Sequence, residues 1–295
     1  TVAATIDVVG HRTIADIDTD ELARLAAGTA AQMGSENFPV ALRFLPPGPR
    51  TALTRLYAYA RFVDDVGDEA AGDRLALLRR VEDDVRALAG AGAQLPPVAG
   101  LAPLVRDYGV PLEPFLDLVE ANRRDQLVHR YETFADLLDY CRYSAAPVGR
   151  VVLYIAGAPG KETFALSDAI CNGLQVLEHC QDVGEDARAG RVYLPAEDLA
   201  AHGVADADLL AHTTPAGLRE VVATQVDRAE GLLQQGRPLV RRLHGWARLA
   251  VAGYLAGGRA TVTQLRHAGH DVLGQTVRPG KIRTAAQVVR LMVGR

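Results

Sequence analysis

Cysteine is scarce in this chain of 295 residues: Cys141, Cys171 and Cys180 are all there is, and none stands in a CxxC pair. That spacing excludes a thiolate zinc site and a disulfide framework, and it fits buried thiols in a reducing cytoplasm. Aromatic residues are only 5%, against 48% hydrophobic residues, with Ala, Leu, Val and Arg abundant. Such a composition favours helices over sheets. No apolar run reaches about 18 residues, so no transmembrane helix is expected, and the first residues show no signal-peptide pattern. Positive charge is not in excess either: the net charge is −4, which removes the electrostatic case for nucleic-acid binding. No GxGxxG follows a strand-like run, so there is no Rossmann site for a nicotinamide cofactor. No Pro/Ser-rich linker divides the chain. One all-helical unit over 16–295 is therefore expected, behind a loose arm at 1–15.

The helical pattern is legible in order. Asp16 or Asp18 can cap a first helix reaching about Ala31. A turn-rich stretch with Pro39, Pro46, Pro47 and Pro49 follows, and Pro49 suits the first position of a helix over 50–69. Leu53, Leu56, Ala60 and Val63 fall at helical spacing on it and should pack inward. Further helices are expected at 73–88, 99–108, 112–129, 133–156 (with a capping signal at Thr133), 161–186, 215–235, 238–256, 258–273 and 281–293. Connections are short, so neighbouring helices should run antiparallel. The 281–293 helix is basic and amphipathic, with Arg283 and Arg290 beside Val288, Val289 and Leu291. It is suited to peripheral contact with a bilayer or to packing on the body.

Two acidic segments stand out. YAYARFVDDVGDE covers 57–69, and DVGED covers 182–186. Asp64 and Asp68 are four residues apart, as are Asp182 and Asp186. On a helix each pair shares a face, about 6 Å apart along the axis. One such pair is compatible with an ordinary solvated acidic face. Two pairs on otherwise apolar helices are costly unless a cation joins them. Hard divalent ions such as Mg²⁺ bridge one or two carboxylates to substrate phosphates. Metal binding at Asp64, Asp68, Asp182 and Asp186, with a diphosphate as the ligand, is the expectation. Arg61, on the Asp64 face, and Arg188 and Arg191, after the second pair, can clamp phosphate oxygens. A di-iron carboxylate bundle would need Glu-x-x-His pairs, and neither acidic helix has one.

These segments, with SENFPVALRFLP (35–46), YCRYSAAPVGR (140–150) and LQVLEHCQDVGEDARAGRVYLP (174–195), resemble the squalene/phytoene synthase family. Its members are head-to-head prenyl synthases with the all-α, single-domain class I terpenoid synthase fold, whose helices surround a central cavity. The resemblance spans about residues 30–275. SENFPVA, the SAxPVGR segment and Gln181 are most similar to the hydroxysqualene synthase branch of squalene and hopanoid biosynthesis. That branch implies Mg²⁺-dependent ionisation of presqualene diphosphate, rearrangement and capture by water, with about three Mg²⁺ and no NADPH. It also implies a pathway partner synthase and a cytoplasmic enzyme, in peripheral contact with the membrane where its greasy substrate resides. The resemblance places Ser35, Tyr57 and Arg61 at the diphosphate, Phe38 in the prenyl pocket and Gln175 in the central cavity. It places Tyr143 near a tyrosine that handles the cation or leaving group, and Tyr254 near the phosphate.

Glu178 stands where the family commonly has an Asn metal contact; a glutamate there can still ligate metal. Gly269–Leu273 is followed by Gly274, Gln275 and Thr276, with Arg278 and Lys281 only later, where relatives carry basic residues sooner. Two alternatives stay open: a sister synthase making presqualene diphosphate, squalene or phytoene from prenyl diphosphates, and a non-catalytic helical partner that binds lipid.

Overall fold

The computed structural model describes residues 14–35 and 45–274, with side chains placed at 19–29 and 45–274. Fifteen helices run through these residues, and the described residues contain no strand. They are α1 (Ile14–Ser35), α2 (Pro47–Asp68), α3 (Arg74–Ala87), α4 (Pro96–Ala99), α5 (Ala102–Tyr108), α6 (Glu113–Asp125), α7 (Phe134–Ser144) and α8 (Ala146–Ile155), followed by α9 (Lys161–Gln181), α10 (Val183–Arg188), α11 (Ala196–Ala201), α12 (Asp206–Leu209), α13 (Ala216–Gly236), α14 (Leu239–Arg242) and α15 (Gly245–His267). None is long and apolar enough to cross a membrane. Of the arm expected at 1–15, Ile14 and Ala15 open α1, and the rest lies outside the described residues. Phe38 and the 281–293 helix with its basic residues lie outside them too, as does the Ser35 side chain.

Local chemistry sets the ends. Pro47 and Pro49 sit in the first turn of α2, where a missing N–H costs nothing. Asp73 caps α3 by accepting from the Ala76 N–H at 2.9 Å. Thr133 and Asp136 form a reciprocal capping box at the start of α7, in agreement with the expected signal. On α2 the buried stripe runs Ala52, Leu56, Tyr59, Phe62, Val63, Val66. Leu53 and Ala60, expected to point inward, flank that stripe and are partly buried.

Four expected helices are cut or joined differently. The 133–156 helix breaks at Ala145 (φ −112°, ψ −47°), because Pro147 has no N–H for the Tyr143 carbonyl. The 161–186 helix breaks at Asp182 (φ −102°, ψ 13°). The turn nevertheless persists there, since the Asp186 N–H donates to the Asp182 carbonyl at 2.8 Å. Conversely, Gly257-Gly258 does not end a helix, and α15 runs straight through it. A Cβ on Gly258 would meet Leu174 Cδ2 at 2.8 Å and Leu233 Cδ1 at 2.9 Å. That glycine marks close helix packing, not a turn.

The core divides into two clusters. One gathers α1 to α6 around Phe62 and Phe115, with part of α8. Both rings are fully buried, and each such burial contributes about 2–3 kcal/mol. The other gathers α7, α9 and α13 to α15. Trp246 packs against both. The acidic segments lie one in each half, on α2 and at the α9–α10 junction.

Candidate active site

Asp64, Asp68, Asp182 and Asp186 come together on the wall of one cavity of about 290 Å³. Gln175, Glu178 and Arg191 line it as well, with Asn122, Asp125, Tyr140, Ser144, His179 and Tyr193. A second cavity of about 310 Å³ adjoins it and is walled mainly by apolar groups: Val148, Val152, Leu153, Ile170, Leu174, Leu239 and Val251. Ser144, Gln175 and Glu178 line both. The break at Ala145 puts Ser144 there, and the i, i+3 spacing of Gln175 and Glu178 puts both on one face of α9.

The acidic cavity is short of positive charge. Six carboxylates line it, from Asp64, Asp68, Asp125, Glu178, Asp182 and Asp186, against one guanidinium, Arg191. Asp64 opens onto the cavity yet sits deep among protein atoms, and that burial pushes its pKa up to about 6. The Asn122 hydrogen bond opposes the shift, while Asp68 adds to it. Asp182 is likewise pushed up to about 6, by burial first and then by Glu178, Asp186 and Glu185. No group of three or more His, Cys, Asp or Glu among the described residues converges tightly enough to cage an ion alone. A cation here would need oxygens from a ligand, as Mg²⁺ sites with substrate phosphates do.

Around this cavity lie residues that the linear pattern did not single out. Asn122 Nδ2 donates to Asp64 Oδ1 at 3.0 Å, and Gln126 Nε2 donates to the Gly67 carbonyl at 2.9 Å. Together they fasten α6 to the acidic turn of α2. Gly67 makes room for this: a Cβ there would stand 2.2 Å from Asn122 Oδ1. Asp65, beside the acidic pair, is buried. It accepts from Thr29 Oγ1 at 2.8 Å and lies 2.9 Å from Arg61 Nε, so it ties α1 to α2.

On the other side, Asp125 accepts from Tyr140 at 2.6 Å and from Tyr193 at 2.9 Å. Burial, then the Asp125 charge, pushes both phenols upward, which keeps them neutral donors. Tyr193 stacks on His179 at 3.9 Å between centroids. His179 Nδ1 lies 3.9 Å from Asp186 Oδ2. The available signal for Asn122 and His179 was a polar residue on an apolar helical face, which must find a partner: Asn122 follows Leu118 and Val119, and His179 stands among Val176, Leu177 and Cys180.

Several expected site residues lie elsewhere. Tyr143 lines neither cavity. One residue on from it turns the helix by about 100°, so Ser144 takes the cavity side. The Tyr143 ring instead lies under Arg124 at 4.0 Å and near Arg142 at 4.6 Å. Tyr57 is two turns before Asp64 on α2, about 10 Å along the axis, and lines neither cavity. Arg188 ends α10 exposed to solvent, outside both linings. Arg61 is engaged by Asp65. Arg191 enters the cavity and donates to Asp68 Oδ1 at 2.7 Å, joining the two acidic segments. Its Nε is buried and has no hydrogen-bond partner among the described residues. Tyr254 lines the apolar cavity, not the acidic one where a phosphate contact would be.

Sequence and fold comparisons agree with this architecture. A family model for squalene/phytoene synthase matches residues 31–283. The chain is 34% identical over 279 residues to the hydroxysqualene synthase of Zymomonas mobilis, covering 92% of each chain. It is 38% identical over 210 residues to the hydroxysqualene synthase of Rhodopseudomonas palustris, covering 70% of this chain and 71% of the relative. The crystal structure of the squalene synthase HpnC from Alicyclobacillus acidocaldarius superposes with a TM-score of 0.77 at 40% identity, over 85% of this chain and 96% of that one. With a family model over most of its length and relatives this similar, the chain belongs to the squalene/phytoene synthase family.

Proposed function

We propose that this chain is a hydroxysqualene synthase, which ionises presqualene diphosphate and captures the rearranged carbocation with water, giving hydroxysqualene and diphosphate. The observation that carries the reading is a shared wall: an acidic cavity and an apolar cavity meet at Ser144, Gln175 and Glu178. A diphosphate ester of a long hydrocarbon has one end suited to each. The similarity to two hydroxysqualene synthases supports the choice within the family. The linings draw on residues from Asp64 to Tyr254, which supports reading the helical body as one catalytic unit.

Asp64, Asp68, Asp182, Asp186 and Glu178 would hold Mg²⁺. The excess of hard oxygen donors over cations in the lining fits that ion. When bound, it neutralises the charge on the diphosphate and makes it a better leaving group. Arg191, the one guanidinium of the lining, would pair with a diphosphate oxygen. Asn122 orients Asp64 through the 3.0 Å bond. The apolar walls keep bulk water from the carbocation, which stray solvent would quench early. Cys171 lines that cavity, and burial pushes its thiol up to about 11. It stays protonated and is a poor nucleophile. Tyr254 presents an aromatic ring to the same space, and an aromatic face attracts a cation.

The test is incubation with presqualene diphosphate and Mg²⁺, with and without NADPH, followed by product identification. Hydroxysqualene in both arms is the expected result. Squalene formed only with NADPH would favour the second reading, a hydride-terminated synthase, which the 40% identity to a protein described as a squalene synthase supports. Consumption of farnesyl diphosphate in a parallel arm would overturn the first reading in favour of a sister synthase that joins two prenyl diphosphates.

A further inference from the structure

Ser144 is the last residue of α7 and belongs to the wall common to the two cavities. Its Oγ is buried and makes no hydrogen bond among the described residues. A serine near a helix end commonly returns its hydroxyl to the carbonyl four residues back, and Ser144 does not do this with Tyr140. A buried hydroxyl without a partner is unfavourable, and a turn about χ1 towards the cavities that Ser144 borders would give it one on the ligand side. Gln175 stands on the same wall. Its Nε2 lies 3.5 Å from His179 Nε2, which leaves the amide oxygen as an acceptor. The other small polar pair of the apolar cavity, Ser167 and Cys171, is already hydrogen-bonded together.

We infer that Ser144 Oγ, with the Gln175 amide, holds the water molecule that ends the reaction, and so decides that the product is an alcohol. The inference rests on the functional reading above. A single held water needs two to four polar partners. The common wall meets a further need: the water must face the carbocation on the apolar side, and its proton must leave on the acidic side. The water oxygen forms the new C–O bond with one of its electron pairs. The resulting oxonium gives a proton to the diphosphate released into the acidic cavity, so a neutral alcohol and a protonated diphosphate remain. No oxidant or reductant enters. Without a held water the cation loses a proton from carbon to the same diphosphate, and the product is an alkene.

The test uses the full chain with presqualene diphosphate and Mg²⁺ in ¹⁸O-labelled water, reading diphosphate release and the alcohol-to-alkene ratio separately. Wild type gives labelled alcohol. Ser144→Ala keeps diphosphate release while the alcohol-to-alkene ratio falls about tenfold, the effect of one lost hydrogen bond. Ser144→Thr, which keeps the hydroxyl, restores much of the alcohol. Should Ser144→Ala lower the melting temperature, Ser144→Cys is read by the same ratio in its place. An unchanged ratio overturns the inference and leaves the functional reading standing. So does loss of diphosphate release in a variant that melts like wild type, because the hydroxyl would then serve ionisation. If wild type itself gives no labelled alcohol, the functional reading fails and the inference goes with it.

Discussion

The two acidic segments line one cavity but are held there by different means. The first lies on an unbroken helix, α2. Asn122 from α6 and Gln126 just past its end grip its acidic turn, and Thr29 from α1 bonds Asp65 behind it. The second lies across a break at Asp182, with His179 Nδ1 3.9 Å from Asp186 Oδ2. Its neighbours are other acids: Glu178, Asp186 and Glu185 all raise the Asp182 pKa. One side is braced by the fold. The other is a concentration of negative charge on a bent turn, and it gains most from a cation. The segments also share the letters Asp-Val-Gly, at 65–67 and 182–184, but this repeat is out of step with the site. It pairs Asp182 with Asp65, whereas the residue that lines the cavity is Asp64.

The strongest way to break the comparison is to remove one acid from each side. Asp64→Ala and Asp182→Ala should each lower diphosphate release from presqualene diphosphate by about 10³-fold or more, the scale on which charge stabilisation at a leaving group acts. Neither should lower the melting temperature, since each carboxylate is disfavoured where it stands. Retained release in either variant would separate that residue from the chemistry. A wild type that releases nothing would revive the non-catalytic lipid partner.

Asp65→Ala should behave in the opposite way. It strips Arg61 and Thr29 of a buried carboxylate, and breaking such a pair from one side costs about 3 kcal/mol. Chemical denaturation should show that loss, with the residual folded enzyme still releasing diphosphate. If Asp65→Ala instead leaves stability intact and removes activity, the register between the two segments is the one that their shared letters suggest.

Neighbours with opposite roles show where linear reading stopped. Helical spacing is a local property, so the pairs Asp64/Asp68 and Asp182/Asp186 and the shared face of Gln175 and Glu178 were all legible in the chain. The all-helical character followed from composition. Partners were not legible, because they depend on contacts across the fold: Asn122 meets Asp64 from 58 residues away, and Arg191 meets Asp68 from 123 away. Punctuation misled twice. Pro147 ends a helix that periodicity alone carried through it, and Gly258 ends none, because Leu174 and Leu233 need the space. Resemblance placed Tyr143 in the site, one residue from Ser144, which does line both cavities.

A finer probe sets the two matching glycines against each other. Gly67→Ala drives a methyl into the whole Asn122 side chain, 2.2 Å from Oδ1 and 3.0 Å from Cγ. Overpacking of that kind costs about 1–3 kcal/mol, and it should displace the donor from Asp64, so activity falls along with stability. Gly184→Ala meets only the tip of Leu273, at 2.9 Å. A flexible side-chain end can move aside, so the change should stay within about 0.5 kcal/mol. Equal losses in the two variants would mean that the second segment is braced as firmly as the first.

The smallest expected effect belongs to Tyr143→Phe. The phenol oxygen accepts from Arg142 at the surface of α7, and the ring is held by Arg124. Removing the hydroxyl leaves the ring and its cation contact in place, so stability should change by no more than about 0.5 kcal/mol. Turnover of presqualene diphosphate should stay close to wild type, because nothing of Tyr143 faces either cavity. The variant is worth making because it is the sharpest test of how α7 is turned. A rotation of this helix by one residue would exchange Tyr143 for Ser144 at the common wall. A large loss of turnover in Tyr143→Phe, with Ser144→Ala silent, would show that substrate binding rotates α7 and that the tyrosine reaches the cation only in that state.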